Sequence, residues 1–196
     1  MRNRINGIFS DKISFFNDNE LAKFKHICYP KGSMIYAQKK LFMIILKGKG
    51  KLNTYHKNSR EYVLSYFKAG SFVLIDTFLS FEVTQDLEVL EANLSTVIKL
   101  SRANDKFANY LFNSFLKHTT MLKSVIKELV FDSVEDRTYK FLLSVADKNM
   151  IYLKGGVSQI SAFVGASRQN VSLAITKLIK AKKIKKIDNS NFQILP

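Results

Sequence analysis

The feature that most restricts the fold of this chain is a pair of short helical patterns joined by a glycine-containing turn, at Val157–Ile184. In the first pattern apolar residues recur at steps of three and four, which favours an amphipathic helix. Gly165 can adopt the positive φ that ends such a helix. Ser167 stands where an N-cap belongs, so its hydroxyl can accept an amide N–H of the next helix. The pattern therefore predicts two helices with a tight turn between them.

The second helical pattern has one apolar stripe and one polar face. The stripe consists of Val171, Ala174, Ile175, Leu178 and Ile179, and the polar face consists of Arg168, Gln169, Ser172, Thr176, Lys177 and Lys180. A helix, a turn and a second helix with a polar outer face is the arrangement that places a recognition helix in the major groove of DNA. An ordinary αα-hairpin whose polar face is merely solvated is the alternative.

Basic residues are concentrated around this pair of helices. The chain has 31 Lys and Arg against 16 Asp and Glu, a net charge of +15, and residues 151–196 alone hold eight basic residues and one acidic residue. This excess indicates a polyanionic partner, either nucleic acid or, as the less favoured alternative, an anionic membrane surface. A lysine-rich composition by itself would explain the excess in the N-terminal half equally well.

Candidate DNA contacts fall into two groups. Base edges are expected to be read by Arg168, Gln169, Asn170, Ser172 and Leu173, in the first turn and a half of the second helix. Arg pairs well with guanine, Gln and Asn pair with adenine, and an apolar side chain can touch the thymine methyl. Phosphates are expected to be held by Ser158, Ser167, Thr176, Lys177, Lys180, Lys182, Lys183, Lys185 and Lys186. Stretches at Ile184–Ile187 and Phe192–Leu195 flank turn residues and predict a β-hairpin, or wing.

Residues before position 100 show a different pattern, in which short apolar stretches alternate with turn residues. A short helix is predicted from Asp18 to about Ile27. Strands are predicted at Ser33–Gln38, Leu41–Leu46, Lys51–His56, Tyr62–Phe67, Val83–Leu90 and Thr96–Leu100, with a hairpin turn at Gly48–Gly50. Such spacing is typical of antiparallel β-proteins. We therefore expect an α+β chain whose N-terminal part is a jelly-roll-like antiparallel β-barrel.

Ser101–Phe131 contains neither Pro nor Gly and predicts one helix about 45 Å long. One apolar stripe consists of Phe107, Leu111, Phe115, His118, Leu122, Val125 and Leu129, and a second includes Tyr110, Leu116, Ile126 and Val130. Two apolar faces need two partners. We expect one face to cover the barrel and the other to pair with the same helix of a second chain, the first stripe supplying the candidate dimer contacts. A helix packed wholly within its own chain is the alternative.

A new helix is predicted after Asp132, because Ser133 and Asp136 have the spacing of a capping box. The expected domains are therefore an effector-type barrel at 1–100, a dimerisation helix at 101–131 and a winged helix-turn-helix at 132–196.

Little in the sequence supports catalysis or metal binding. His26, His56 and His118 are far apart and lack the spacing of metal ligands, and no nucleotide-binding or hydrolase motif occurs. His26 and Cys28 could offer two ligands to a haem or metal, but a helix end with no ligand role is favoured. Cys28 is the only cysteine, which suits a reducing cytoplasm, and no apolar run is long enough to span a membrane. We expect a soluble cytoplasmic protein without catalytic activity, metal or cofactor; an enzyme with a nucleic-acid-binding tail is the alternative.

The order of these parts resembles the Crp–Fnr superfamily of bacterial transcription regulators. Lys31–Ile35 and Leu41–Gly48 resemble the first barrel hairpins of that family, Arg60–Leu64 and Phe67–Phe72 the strand and turn that follow, and Ser158–Ile184 its DNA reader. The resemblance implies a homodimer that binds a near-palindromic operator with half-sites about one helical turn apart. It makes RNA polymerase a further candidate partner.

Two departures from the family pattern concern ligand and operator. Cyclic-nucleotide-binding members carry a Gly-Glu pair and an Arg-Ser or Arg-Thr pair, where this chain has Leu74-Ile75 and Val83-Thr84. An apolar pocket without a cation is a poor host for a phosphate, so cyclic AMP is not expected. The candidate pocket residues for another small ligand are Phe72, Leu74, Ile75, Val83 and Thr84, and a constitutive, ligand-free module is the alternative.

The second departure lies in the DNA-binding helix. Gln169 and Leu173 replace Glu and Arg residues of the family pattern, so an altered half-site is expected.

Overall fold

The computed structural model describes residues 13–55, 61–188 and 190–196. The chain divides into two compact units, the first containing the residues up to Tyr55 together with Val63–Met121, and the second built mainly from Leu122–Pro196. The boundary lies within a long helix. The division into blocks 1–100, 101–131 and 132–196 stays a prediction.

The first unit is an antiparallel sheet with helices packed against one of its faces. Its elements in chain order are α1 (Asp18–Leu21), β1 (Lys25–Tyr29), β2 (Met34–Tyr36), β3 (Leu41–Tyr55), β4 (Glu61–Lys68), β5 (Phe72–Ile75), β6 (Leu79–Asn93), α2 (Leu94–Ala103) and the first part of α3 (Asp105–Phe131). The strand order is β1-β6-β3-β4, with β2 added to β6 and β5 added to β3. The described strands therefore form a sheet that does not close into the predicted barrel, because β2 and β5 pair with the long central strands and do not join the outer strands to each other.

The apolar run Phe42–Leu46 is buried on both faces of the sheet. Phe42, Ile44 and Leu46 pack in one apolar cluster with the helices. Met43 and Ile45 point the other way, into a second cluster with other strands. Burial on both faces explains why the strand reads as continuous hydrophobic sequence without alternation.

The predicted hairpin turn at Gly48–Gly50 is wrong. These residues lie inside β3, where the pairing register with β6 shifts between Ile45 and Gly50. Gly48 has φ +89°, and a Cβ there would lie 2.0 Å from the carbonyl oxygen of Asp86. A Cβ on Gly50 would lie 2.1 Å from the Phe81 ring. The two glycines thus permit a bulge and a close approach of neighbouring strands.

Two other local predictions are wrong. Thr96–Leu100 belongs to helix α2 and is not a strand, because Asn93 caps the helix by accepting the Thr96 N–H at 2.9 Å. The first helix ends at Leu21, and Lys25–Tyr29 continues as a strand paired with β6.

The long helix begins later than predicted. Asn104 is extended, with φ −140° and ψ 99°, and separates α2 from α3. Its side chain accepts the N–H of Phe107 at 2.9 Å and donates to the carbonyl of Phe15 at 2.7 Å. Asn104 therefore ends one helix and starts the next.

The first half of α3 packs on its own chain. Phe107 is 0% exposed and Leu111 is 6% exposed, both within the apolar cluster under the sheet. The Phe115 ring lies against Phe72 with centroids 5.7 Å apart, and the His118 ring lies against Phe67 at 5.2 Å. Phe107 and Leu111, two of the predicted dimer contacts, therefore lie on the face of α3 that covers the sheet of their own chain.

Burial against Phe67 makes His118 a source of pH-dependent stability. Desolvation lowers the pKa of His118 from its usual 6.5. The unfolded chain therefore takes up a proton at a higher pH than the folded chain, and stability is lost as the pH falls below about 6.5. We expect His118→Gln to lose less free energy of unfolding than the wild type between pH 7.5 and 5.0, measured by denaturant titration. Equal losses in the two proteins would contradict this.

The second unit is a helical domain with a small sheet. After the end of α3 it contains α4 (Val134–Val145), β7 (Met150–Tyr152), α5 (Gly156–Val164), α6 (Arg168–Lys180), β8 (Ile184–Lys186) and β9 (Asn191–Ile194). Its core includes Leu142, Ile160, Val171, Leu178 and Phe192. The sheet is antiparallel in the order β7-β9-β8.

The predicted start of α4 is confirmed. Ser133 and Asp136 form a reciprocal capping box, in which the Ser133 hydroxyl accepts the Asp136 N–H at 3.0 Å. Along the part of the chain that the structure describes, no helix is both long and apolar enough to cross a membrane.

Candidate nucleic-acid interface

Helices α5 and α6 are joined by the turn that the sequence predicts. Gly165 has φ 64° and ψ 39°, the left-handed conformation that ends α5. Ser167 is extended and accepts the Asn170 N–H through its hydroxyl at 3.1 Å. Three residues, Gly165 to Ser167, therefore end the first helix and start the second.

Loss of this cap should cost stability. We expect Ser167→Ala to lower the free energy of unfolding of the second unit by about 1 kcal/mol, because one amide N–H at the helix start loses its partner. Ser172→Ala is the control, since Ser172 is exposed within the same helix and alanine is the better helix former there. Urea titration followed by circular dichroism measures both. A Ser167→Ala protein as stable as the control would contradict the assignment of the cap.

Helix α6 is divided into a buried and an exposed face. Val171, Ala174 and Leu178 are buried in the core of the unit. All five candidate base-reading residues are exposed, namely Arg168, Gln169, Asn170, Ser172 and Leu173. Leu173 is 57% exposed although it is apolar. Burial of the stripe leaves the candidate reading residues together on the solvent side.

The candidate phosphate contacts are less uniform. Lys177, Lys180, Lys182, Lys183, Lys185 and Lys186 are all exposed. Lys183 lies over the Tyr139 ring at 5.2 Å, a cation–π contact. The Thr176 hydroxyl donates to the carbonyl of Ser172 at 3.0 Å, while Ser158 and Ser167 are half-buried. The lysines are thus the more accessible members of the group.

Strands β8 and β9 form the predicted hairpin directly after α6. Ile184 pairs with Ile194, and Lys186 pairs with Phe192. In the turn the Asp188 carboxylate accepts the N–H groups of Ser190 and Asn191 at 2.8 and 2.9 Å. These bonds hold the pKa of Asp188 below its usual value. The acidic residue closes the turn, and residue 189 lies outside the described residues.

Arg137 is a residue that the sequence reasoning missed. Its Nε donates to the carbonyl of Val164 at 2.9 Å, and its Nη1 donates to the carbonyls of Asp132 at 2.9 Å and Leu129 at 3.3 Å. One guanidinium therefore satisfies carbonyl groups at the C-terminal ends of both α5 and α3, where a cation is favoured. The available signal was a basic residue in the first turn of α4, where the helix dipole disfavours it.

Removal of this guanidinium should loosen the joint between the helices. We expect Arg137→Ala to lower the free energy of unfolding of the second unit by about 2 kcal/mol, because half-buried carbonyls lose their donors. Arg137→Lys should restore only part of the lost free energy of unfolding, since an ammonium group cannot bridge both helix ends. Lys140→Ala removes a neighbouring exposed ion pair with Asp132 and should cost less. If Lys140→Ala is as damaging as Arg137→Ala in urea titration, the bridging role is wrong.

The five candidate effector residues do not surround one cavity. Phe72 is buried in the apolar cluster between the sheet and the helices, with its ring 5.5 Å from that of Phe42. Ile75 and Val83 are buried in the other cluster, and Leu74 and Thr84 are half-buried. Alternating strand side chains carry these residues to opposite faces of the sheet, and the effector pocket stays a prediction.

The His26–Cys28 segment is a strand and not the favoured helix end. The His26 Nε2 atom lies 2.6 Å from Glu88 Oε1, and Cys28 is exposed. Within the described ranges no group of three His, Cys, Asp or Glu side chains is arranged to hold a metal ion.

No protein-family model and no curated sequence matches the chain. Solved structures do match it. The c-di-GMP-responsive global regulator CLP of Xanthomonas campestris has TM-score 0.76 and 16% identity, covering 95% of this chain and 100% of that one. A protein from Eubacterium rectale, described as a transcriptional regulator of the Crp/Fnr family, has TM-score 0.76 and 14% identity, covering 95% and 94%. A CooA variant from Carboxydothermus hydrogenoformans has TM-score 0.69 and 16% identity, covering 96% and 92%. The resemblance to the Crp–Fnr superfamily is thereby confirmed at the level of the fold.

Proposed function

We propose that this protein is a homodimeric, sequence-specific DNA-binding regulator of transcription. Helices α5 and α6 would act as a helix-turn-helix, with α6 in the major groove and the β8–β9 hairpin as the wing. The observation that carries the proposal is the exposed polar face of α6, bordered by lysines, on a chain with the Crp/Fnr fold. Such a regulator would work in the cytoplasm, where the chromosome lies, and RNA polymerase is its candidate further partner.

The charges at the end of α6 support a phosphate-binding role. Lys177, Lys180, Lys182 and Lys185 are exposed, and none forms an ion pair with a described carboxylate. Unpaired ammonium groups can neutralise phosphates and release counterions without first breaking a bond within the protein. The two-stranded wing carries Lys185 on its first strand, so it can approach the backbone beside the groove occupied by α6.

The side chains at the start of α6 suggest the bases that would be read. Arg168 suits a guanine, Gln169 and Asn170 suit adenines, and the exposed Leu173 suits a thymine methyl. A selection of random duplexes should therefore return half-sites with adenine and thymine next to one guanine. Recovery of the guanine-containing half-site usual for the resembled family, unchanged, would contradict this specificity.

The exposed face of α3 supports pairing with a second copy of the chain. Phe112, Leu116, Ile126 and Val130 are 63%, 50%, 59% and 66% exposed. With Thr119 and Lys123 they recur at alternating steps of four and three, the spacing of a coiled-coil seam. The same seam on a second chain is apolar in the same places, so a two-fold pair would bury both. This seam differs from the stripe that contains Phe107 and Leu111.

A specific observation favours the constitutive form of this regulator over a ligand-controlled one. Phe72 is buried in one apolar cluster and Ile75 and Val83 are buried in another, so these side chains leave no shared space for a ligand. A ligand can shift a regulator only through different affinities for its two states. We therefore expect metabolite extracts from which nucleotides have been removed to leave the melting temperature of the first unit unchanged, and a reproducible shift would support ligand control.

The test of the main proposal is fluorescence anisotropy of the full chain on genomic duplexes at several salt concentrations. We expect two chains per duplex, a linear fall of log affinity with log salt, and a specific site at least 10³-fold tighter than random sequence. Binding that ignores sequence at every salt concentration would contradict a role in site-specific regulation.

A further inference from the structure

A second basic surface lies in the first unit, and its residues are not part of the helix-turn-helix. It is a cavity of about 350 Å³ lined by residues of three separate segments: 23–25, 36–41 and 91–96. We call it the lysine pocket, defined by Lys23, Lys25, Lys39, Lys40, Tyr36 and Thr96. Its volume falls within the range of small-molecule sites in proteins.

The charge lining this pocket is strongly positive. The four lysines face one lining carboxylate, that of Glu91. Glu91 is buried and accepts the Tyr29 hydroxyl at 2.7 Å. None of the four lysines forms an ion pair with a carboxylate of the described residues. Four ammonium groups around one cavity repel each other, and an anion with several charges would relieve that repulsion.

The N-terminal end of helix α2 adds positive potential to the lysine pocket. Asn93 and Thr96 both line the cavity, and Asn93 caps the helix through the Thr96 N–H at 2.9 Å. The first turn of this ten-residue helix therefore borders the cavity, and the N-terminal end of a helix dipole favours anions. Helix end and lysines belong to different segments, so the two features are independent.

An aromatic side chain stands at the same cavity. Tyr36 is 68% exposed although it lies in a strand. Its ring offers a face on which a planar base can stack. Lysines suit phosphates and an exposed ring suits a nucleobase, so a nucleotide matches the lining better than a simple inorganic anion.

We propose that the lysine pocket binds a nucleoside polyphosphate, with its phosphates on the four lysines and the start of α2 and its base on Tyr36. This site shares no residue with the candidate effector pocket. The proposal is independent of the DNA-binding function, because none of its residues belongs to the second unit.

The test is calorimetric titration of the full chain with ATP, GTP, pyrophosphate and inorganic phosphate at 0.15 M salt. We expect ATP or GTP to bind more tightly than pyrophosphate. The double variant Lys39→Ala/Lys40→Ala should weaken nucleotide binding at least tenfold. The matched variant Lys47→Ala/Lys49→Ala removes the same charge from exposed positions of the same unit and should change it less than twofold.

Further variants separate the pocket from other basic surfaces. Tyr36→Ala should weaken ATP binding at least fivefold and leave pyrophosphate binding unchanged. Nucleotide binding that survives Lys39→Ala/Lys40→Ala but is lost in Lys182→Ala/Lys183→Ala would place the nucleotide on the second unit and overturn the proposal. Displacement of ATP by a glutamate-rich peptide at lower concentration than by GTP would also overturn it, in favour of an acidic protein partner.

Discussion

Replacing Lys177, Lys180 and Lys185 together by alanine is expected to weaken DNA binding by on the order of 10²–10³-fold at 0.1 M salt. Each phosphate contact contributes about 0.9 to the slope of log affinity against log salt. Loss of three contacts should therefore lower the slope by about 2.7, in addition to the loss of affinity. Anisotropy titrations of a specific duplex and a random duplex from 0.05 to 0.3 M salt measure both quantities. The affinity ratio between the two duplexes should stay nearly constant, because phosphate contacts carry no sequence information.

The matched control removes the same charge elsewhere. Lys47, Lys68 and Lys99 are exposed in the first unit, and their replacement by alanine lowers the net charge equally. If overall charge alone drives binding, the two triple variants should lose affinity and slope to the same degree. Local phosphate contact requires that the variant of α6 and β8 lose far more. Equal losses would remove the main support for α6 as the DNA reader.

The parts of the molecule that follow from local rules could be predicted from the sequence. The turn at Gly165, the cap at Ser167 and the capping box at Ser133 each depend on a few adjacent residues and one hydrogen bond. The exposed and buried faces of α6 follow from helical periodicity alone. The sequence therefore predicts the exposed face of α6 that carries the candidate base-reading residues.

The parts that depend on distant pairing could not be predicted in the same way. Gly48 and Gly50 have the local pattern of a turn. In the structure they lie in a bulged strand, so close to Asp86 and Phe81 of the neighbouring strand that a Cβ would not fit. Thr96–Leu100 has the β-branched composition of a strand, but the cap from Asn93 and burial of Val97 and Leu100 select a helix. In both cases contacts with residues far along the chain or at the element boundary outweigh local propensity.

The long helix shows the same limit for a choice between faces. Periodicity identifies two apolar stripes on α3, but it cannot tell which stripe meets the sheet. Phe107 and Leu111 are buried because the sheet presents Phe42 and Phe72 to that face. Phe112 and Leu116, one and five positions after Leu111, are left exposed. The candidate dimer seam is therefore assigned by exposure, and its occupant must be tested in solution.

Ile126→Asp is expected to convert the protein to a monomer at micromolar concentration, because it places a carboxylate in the C-terminal half of the seam, opposite its own copy on the second chain. Two linked readers bind a full site more tightly than one reader by about 10²–10⁴-fold, so full-site affinity should fall by that factor while half-site affinity stays unchanged. Size-exclusion chromatography with light scattering measures the oligomeric state, and anisotropy on full-site and half-site duplexes measures the two affinities. Ser124→Asp adds the same charge at an exposed position on another face of α3 and should leave both properties intact. A dimeric Ile126→Asp protein with full affinity would show that the chains pair elsewhere.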